Sequence, residues 1–114
     1  MGLEKKYDRD TLVIKVTGEL DLVVADEFRR VVDPELERRQ VKNLVINLNG
    51  VSFIDSSGLG VILGRYKKLL QTGGKIWIAE PRPPVRKILE LSGFPRIMPF
   101  FDSEKQALEA VREA

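Results

Sequence analysis

Residues 44–70 read LVINLNGVSFIDSSGLGVILGRYKKLL, and this stretch decides the fold. Residues 44–48 form a nearly continuous apolar run, which is typical of a strand covered on both faces in a parallel sheet. We expect the Asn-Gly pair that follows to turn the chain before a second short apolar segment at residues 51–54. From Leu59 onwards apolar residues recur at intervals of three and four, the spacing of a helix. A buried strand that leads into a helix is typical of an α/β fold.

Strand and helix patterns alternate through the rest of the chain. Strands are predicted at residues 3–7, 12–17, 44–48, 76–79 and 97–101, and helices begin near residues 23, 59, 83 and 104. The right-handed crossover rule makes the strands that helices connect mostly parallel. The predicted fold class is therefore α/β, a mixed, mostly parallel β-sheet of about five strands flanked by about four α-helices. Residues 1–114 are expected to form a single domain, because a chain of this length can bury about two-thirds of its surface.

Glycine and proline mark several boundaries of these elements. Residues 18–21 are expected to end the second strand, and residues 72–74, Thr-Gly-Gly, to end the helix that starts near Leu59. Pro34 interrupts the first helical pattern. Either that helix kinks at Pro34, or Asp33 caps a fresh turn with the proline at its first position.

The composition excludes several classes of function. Of 114 residues, 43% are hydrophobic and 32% are charged, which is typical of a globular chain rather than a disordered one. The chain has no histidine and no cysteine, so Ser-His-Asp and Cys-His catalytic sites, thiolate nucleophiles and the usual zinc sites are excluded. Since it also lacks the apolar core of a signal peptide near its first residues, we expect a cytoplasmic protein.

The charge balance argues against nucleic acid and membrane partners. The net charge is +2, and no apolar run approaches the roughly 20 residues that span a bilayer. Basic residues gather at residues 65–68 and 82–87, on predicted helices whose opposite faces are apolar, and we interpret both groups as solvated faces. We therefore expect no direct binding to nucleic acid and no membrane association.

The segment that could carry chemistry is residues 55–60, Asp-Ser-Ser-Gly-Leu-Gly. The simplest interpretation is that Asp55 or Ser56 caps the helix, since the first backbone N–H groups of a helix lack partners. Three glycines in the first half of this helix are unexpected, because each costs about 0.5 to 1 kcal/mol relative to alanine. Ser56, Gly60 and Gly64 form a row without side-chain bulk. Either this row packs closely against the protein's own sheet, or it is a docking surface centred on Ser56.

Two well-known motifs do not fit this segment. It lacks the Gly-Lys-Ser or Gly-Lys-Thr of a phosphate-binding P-loop, and it is not the Gly-x-Ser-x-Gly elbow of hydrolases, which also needs a histidine. A phospho-accepting aspartate is conceivable, with Asp55 as the acceptor. That chemistry needs carboxylates around a magnesium ion, for which Glu19 and Asp21 at another strand end are the candidates.

Residues 53–66, FIDSSGLGVILGRY, resemble the signature of bacterial anti-anti-sigma factors of the STAS-domain family, in particular the sporulation antagonists. Residues 18–21, GELD, and residues 91–94, LSGF, also match, so the resemblance covers essentially the whole chain. It implies an anti-sigma factor antagonist that is not an enzyme and needs no cofactor or metal. Its partner would be an ATP-dependent serine kinase that is also the anti-sigma factor.

The mechanism that this resemblance implies is partner switching. The unphosphorylated form binds the anti-sigma kinase and releases the sigma factor for transcription. Phosphorylation switches binding off, and a metal-dependent serine phosphatase of the PP2C type restores the antagonist. The phosphorylated serine of the family directly follows the aspartate, which maps onto Ser56.

The resemblance also implies roles for the neighbouring residues. Asp55 would cap the helix and orient the acceptor hydroxyl, and Ser57 would cap the helix or touch the partner. Gly58 and Gly60 would allow the kinase to reach the acceptor serine. Asp21 would belong to the partner-facing surface, unless it is only a turn residue. Two alternatives stay open: a non-switching STAS scaffold, as in transporters or sensory assemblies, and a phospho-receiver at Asp55.

Overall fold

A five-stranded sheet with its strands in the order β1-β2-β3-β4-β5 forms the centre of the protein, in a computed structural model that describes residues 2–38 and 40–114. The strands are β1 (Gly2–Asp8), β2 (Thr11–Leu20), β3 (Asn43–Ile54), β4 (Lys75–Ala79) and β5 (Phe100–Phe101). The helices are α1 (Leu22–Leu36), α2 (Ser56–Leu70), α3 (Pro83–Leu91) and α4 (Glu104–Glu113). β1 pairs antiparallel with β2, and the other neighbouring strands are parallel. The predicted mixed, mostly parallel α/β fold is confirmed.

Helices cover both faces of the sheet, so the core lies in two layers. Alternate residues of β2 show the division, because Leu12 and Ile14 point to one face and Val13 to the other. On the first face, α1, α2 and α3 bury a large cluster that includes Phe28. On the second face, α4 covers a smaller cluster around Trp77. Strands that are buried on both faces read as continuous apolar runs, which is the pattern seen in the sequence.

β3 is one strand of 12 residues and not two segments separated by a turn. The expected turn at Asn49 and Gly50 is therefore wrong. β2 is also longer than predicted, because it continues past residue 17 to Leu20. The two long strands pair in parallel as far as their last residues, Leu20 and Ile54.

The extra length of β3 is taken up by two shifts in its register against β2. The pairing shifts between Lys15 and Thr17 and again between Gly18 and Glu19, and at each shift β3 has one more residue than β2, as in a β-bulge. The first shift places Gly50 opposite Thr17, and a Cβ at position 50 would lie 2.6 Å from Thr17 Cγ2. Glycine is needed here because the two strands approach closely, and not because the chain turns.

α1 continues through Pro34, so the expected fresh turn capped by Asp33 is wrong. The proline lies in the last turn and has no N–H to donate to the carbonyl four residues earlier, so the helix loses one hydrogen bond there but continues. The Asp33 carboxylate instead pairs with Arg65 Nε at 2.9 Å and with Lys68 Nζ at 3.0 Å, both on α2. Arg65 is buried, so the interpretation of its basic group as a solvated face is wrong at this residue. Burial lowers the pKa of the Arg65 guanidinium, and the charge of Asp33 opposes that shift.

The elements after β4 mostly follow the predicted boundaries. α3 begins at Pro83, and Gly93 follows it with φ +80°, the left-handed conformation that favours glycine after a helix. The strand predicted at residues 97–101 is shortened to Phe100–Phe101, and a 3-10 helix at Phe94–Arg96 precedes it. None of the helices described above is long and apolar enough to cross a membrane.

A buried carboxylate joins α1 to the edge strand β1. The side chain of Glu35 is only 5% exposed, and it accepts hydrogen bonds from Lys5 Nζ at 2.7 Å and Tyr7 Oη at 2.5 Å. Arg38 Nη1 lies 3.6 Å from the same carboxylate. The hydrogen bonds from Lys5 and Tyr7 hold the pKa of Glu35 below its ordinary value, although burial acts in the opposite direction.

Glu35→Gln should lower the free energy of unfolding near neutral pH and make it less dependent on pH. The folded protein holds the pKa of Glu35 below the ordinary value of 4.5, so the carboxylate stabilises the fold above that pH. This stabilisation is lost as the pH falls through the lowered pKa. Urea unfolding of both proteins between about pH 7 and about pH 3 measures the effect. The difference in the free energy of unfolding between the wild-type protein and Glu35→Gln should become smaller towards low pH. A difference that does not change with pH would show that the charge of Glu35 does not stabilise the fold.

Candidate functional site

The segment around Ser56 lies where two parallel strands end side by side. Leu20, the last residue of β2, pairs with Ile54, the last residue of β3. Each strand is followed by one aspartate and then by a helix, which places Asp21 and Asp55 next to each other at this edge of the sheet. Neighbouring strands lie about 4.8 Å apart, so the starts of α1 and α2 are brought together.

Asp21 and Asp55 have the same structural role. Their backbones have nearly equal angles, with φ −104° and ψ −168° for Asp21 and φ −109° and ψ −173° for Asp55. Asp21 Oδ1 accepts a hydrogen bond from the Val24 backbone N–H at 3.1 Å. Asp55 Oδ1 accepts hydrogen bonds from the backbone N–H groups of Ser57 at 2.9 Å and Gly58 at 3.1 Å. The predicted capping of the helix by Asp55 is confirmed, and Asp21 is also a helix cap rather than a turn residue.

Ser56 is the first residue of α2 and is exposed, so a second protein can reach it. Ser57 is half-buried and is not the cap of the helix, because Asp55 has that role. Asp55 Oδ1 uses its hydrogen bonds on backbone N–H groups. The expected orientation of the Ser56 hydroxyl by Asp55 therefore stays a prediction, as does a contact between Ser57 and a partner.

The three glycines of α2 face in different directions. Gly58 is buried, and a Cβ there would lie 2.4 Å from the Leu20 backbone oxygen and 2.7 Å from Ile54 Cγ1. Close packing against the protein's own strands therefore explains this glycine, and its expected role in giving a kinase access to the serine stays a prediction. At Gly60 and Gly64 a Cβ would have nothing within 4 Å. The outer row of the helix does not pack against the sheet, which leaves it open to a partner.

Exposed apolar side chains lie near this edge of the sheet, and no sequence pattern predicted them. Leu22 and Val23, in the first turn of α1, are each 66% exposed, and Phe53 near the end of β3 is 47% exposed. Large exposed apolar side chains that lie close together indicate a surface that another protein covers. The sequence Leu-Asp-Leu-Val at residues 20–23 could have indicated this exposure. The apolar residues on the two sides of a helix cap cannot all face the core.

The described part of the chain gives Asp55 no carboxylate cluster of the kind that a phospho-receiver needs. Among residues 2–38 and 40–114, no group of three acidic, histidine or cysteine side chains could hold a metal ion. Asp21, a candidate magnesium ligand in that alternative, uses its carboxylate to cap α1. The geometry favours a surface for another protein over a magnesium site.

The STAS domain profile matches residues 3–107 of this chain. An anti-sigma F factor antagonist from Paenibacillus polymyxa is 42% identical over 108 residues, which cover 95% of this chain and 92% of that relative. The structure of the anti-sigma factor antagonist SpoIIAA in its unphosphorylated form matches with a TM-score of 0.88 and 31% identity, covering 99% of this chain and 98% of that one. The Bacillus cell fate determinant SpoIIAA in its phosphorylated form matches with a TM-score of 0.80 and 30% identity, covering 96% of this chain and 99% of that one.

Two matched glycine-to-alanine changes in α2 should have opposite effects on stability. Gly60→Ala should raise the free energy of unfolding by about 0.5 to 1 kcal/mol, because alanine favours the helix and the space beside position 60 is open. Gly58→Ala should lower it by about 1 to 3 kcal/mol, since the added methyl group meets the Leu20 backbone. Chemical denaturation of the three proteins measures both effects. A destabilised Gly60→Ala protein would show that position 60 packs against the protein itself.

Proposed function

This chain belongs to the STAS-domain family, and we propose that it is an anti-sigma factor antagonist whose binding is switched by phosphorylation of Ser56. The unphosphorylated protein binds an anti-sigma factor that is also an ATP-dependent serine kinase, and the sigma factor is released for transcription. Phosphorylation of Ser56 ends this binding, and a PP2C-type serine phosphatase restores it. The protein acts in the cytoplasm, where transcription takes place.

The observation that carries this proposal is the exposed serine at the start of α2, next to two aspartate-capped helix starts and near exposed apolar side chains. A kinase can reach an exposed hydroxyl at Ser56, and a docked partner can cover Leu22 and Val23. The identity to the Paenibacillus polymyxa antagonist supports the same function. The likeness to structures of SpoIIAA in unphosphorylated and phosphorylated forms supports a switch of this kind.

The fold can accept a phosphate on Ser56 without unfolding. The phosphate would lie at the N-terminal end of α2, a helix of 15 residues, where backbone N–H groups and the helix dipole favour negative charge. α1 begins at the neighbouring strand end and adds a second positive helix end nearby. Because these interactions offset the added charge, we expect the phosphorylated domain to keep its structure.

The same phosphate would oppose a docked partner. A phosphoserine carries about 1.5 to 2 negative charges at neutral pH, and here it would stand beside the carboxylate of Asp55. A bound kinase would have to displace water from this group and accommodate its bulk at the interface. A penalty of about 3 kcal/mol, within the range for truncated or unpaired charges at interfaces, weakens binding roughly 100-fold. That factor is sufficient to release the partner.

The chemistry of phosphoryl transfer would take place in the active site of the kinase. Ser56 Oγ would form a bond to the γ-phosphorus of ATP as the bond to ADP breaks, and the hydroxyl proton would pass to a base of the kinase. The kinase supplies that base, the magnesium ion and the nucleotide. This chain supplies the hydroxyl group and the surface that presents it.

Incubation with candidate anti-sigma factor kinases and ATP should add one phosphate to the protein, on Ser56. Intact mass measures the number of phosphates, and peptide mapping locates them. Ser57→Ala is the matched control, because this neighbouring serine is half-buried and its loss should leave one phosphate in place. Ser56→Ala should accept none.

The other outcomes of this experiment separate the alternatives. A phosphate on Asp55 would identify a phospho-receiver. A protein that no anti-sigma factor kinase phosphorylates or binds would be a non-switching STAS scaffold, and the proposed function would be wrong.

The Ser56→Ala and Ser56→Asp variants should differ by about 10-fold to 100-fold in their affinity for the anti-sigma factor kinase. Alanine removes only the hydroxyl group, so this variant should bind the kinase persistently. Aspartate adds one negative charge beside Asp55 and should bind poorly. Isothermal titration calorimetry measures both affinities, and urea unfolding of both variants checks that each is folded. Equal affinities would contradict the electrostatic mechanism.

A further inference from the structure

The Asn-Gly pair at residues 49 and 50 has a chemical reactivity that the proposed function does not use. Asparagine occurs at three positions of the chain, 43, 47 and 49. Leucine follows the first two, whereas glycine follows the third. Glycine has no Cβ, so nothing shields its backbone nitrogen from the amide carbon of the preceding asparagine. Of the three asparagines, Asn49 is therefore the one most prone to lose ammonia from its side chain.

The surroundings of the three asparagines also differ. Asn43 Oδ1 accepts a hydrogen bond from the Lys75 backbone N–H at 3.3 Å. Asn47 is only 3% exposed, and its Nδ2 donates to Glu104 Oε1 at 3.0 Å. Asn49 is exposed, and in the described part of the chain only its backbone N–H joins these contacts, donating to Asn47 Oδ1 at 2.9 Å. The Asn49 side chain is the one that the fold holds least.

The backbone of the Asn-Gly pair, in contrast, is held at the first register shift between β2 and β3. Two β3 residues, Leu48 and Asn49, lie there opposite the single β2 residue Val16. Gly50 returns to regular pairing opposite Thr17, and β2 comes so close that a Cβ at position 50 would lie 2.6 Å from Thr17 Cγ2. Pairing with β2 therefore keeps this segment extended.

An extended strand opposes the reaction of Asn49 with Gly50. The Gly50 nitrogen must come within bonding distance of Asn49 Cγ, which closes a five-membered ring. The backbone between the two residues has to rotate out of the strand conformation for this, and the rotation breaks the pairing of β3 with β2. The reaction therefore requires molecules in which this part of β3 has opened, and these are a small fraction of the folded protein.

We propose that Asn49 is a site of spontaneous deamidation, which the native pairing of β3 with β2 suppresses and which prevents that pairing once it has occurred. The Gly50 nitrogen bonds to Asn49 Cγ, and the Cγ–Nδ2 bond breaks. The Gly50 N–H proton passes through water to the leaving amide nitrogen, which departs as ammonia. Water then opens the cyclic imide at either carbonyl carbon and gives aspartate or isoaspartate.

The two products affect β3 differently. Aspartate keeps the length of the backbone and adds a negative charge at an exposed position. Isoaspartate leads the chain through the side-chain carbon, so the backbone gains one carbon atom. An additional backbone atom disturbs the alternation of side chains beyond position 49. The residues beyond it include Ile54, whose pairing with Leu20 brings the starts of α1 and α2 together. Isoaspartate therefore destabilises the fold, and aspartate does not.

Incubation at mildly alkaline pH, with and without a denaturing concentration of guanidinium chloride, tests the protection by the fold. Peptide mapping by mass measures deamidation at each asparagine, and enzymatic methylation of isoaspartate distinguishes the two products. In the denaturant, Asn49 should react while Asn43 and Asn47 stay intact over the same time. In the folded protein, Asn49 should react at least about 100-fold more slowly, because few molecules are open.

Two variants at position 49 are the matched controls. Asn49→Gln keeps an amide at this exposed position but has to close a six-membered ring, so it should stay intact in guanidinium chloride. Asn49→Asp has the charge of the product without the additional backbone atom. After removal of the denaturant, the isoaspartate form should unfold at a lower concentration of guanidinium chloride than the wild-type protein. Asn49→Asp should unfold as the wild-type protein does, as expected for an exposed substitution.

Three results would overturn this proposal. Equal rates at Asn49 in the folded and the unfolded protein would show that strand pairing gives no protection. Reaction of Asn43 or Asn47 in the denaturant at the rate of Asn49 would show that the following glycine does not select the site. An isoaspartate form as stable as Asn49→Asp would show that the longer backbone does not disturb β3. None of these measurements involves Ser56, so they are independent of the proposed function.

Discussion

The parallel pairing of β2 with β3 is the constraint on which the rest of the structure depends. The two strands stay paired to their last residues, Leu20 and Ile54, although β3 has two additional residues that β-bulges absorb. The Asp55 backbone N–H then donates to the Leu20 carbonyl at 3.4 Å, so the pairing extends into the first helix cap. Because both strands end together, both following helices start together, and this places Asp21 beside Asp55 and presents Ser56 at the surface.

The glycines of α2 differ in how closely the rest of the domain packs around them. Gly58 faces inwards, where the Leu20 backbone leaves no room for a side chain, and it allows α2 to start directly on the end of the sheet. Gly60 and Gly64 face open space, where nothing in the domain limits the side chain. One helix therefore contains a glycine that the fold requires and two glycines that packing within the domain does not require.

Charged contacts secure α1 far from the aspartate caps. Asp33 pairs with Arg65 and Lys68 of α2, and Glu35 accepts hydrogen bonds from Lys5 and Tyr7 of β1. Water screens these contacts less than exposed ion pairs because the two carboxylates are largely buried, and removing the charges from water costs energy in return. With α1 and α2 held together near their other ends, we expect a charge added at the start of α2 to act mainly on a docked partner. This arrangement supports a switch that works at the interface and leaves the fold unchanged.

The sequence by itself determined the order of the strands and helices, a cap of α2 at Asp55 or Ser56, and, through the family resemblance, Ser56 as the candidate phosphate acceptor. Periodicity, capping and a contiguous motif depend on residues within a few positions of each other, so they can be read directly from the chain. Only the tertiary structure decided that Gly50 lies inside a strand, that Gly58 faces the core, and that Leu22 stays exposed. Each of these depends on residues distant in sequence, because strand register and burial are set by the neighbours that folding brings together and not by local spacing.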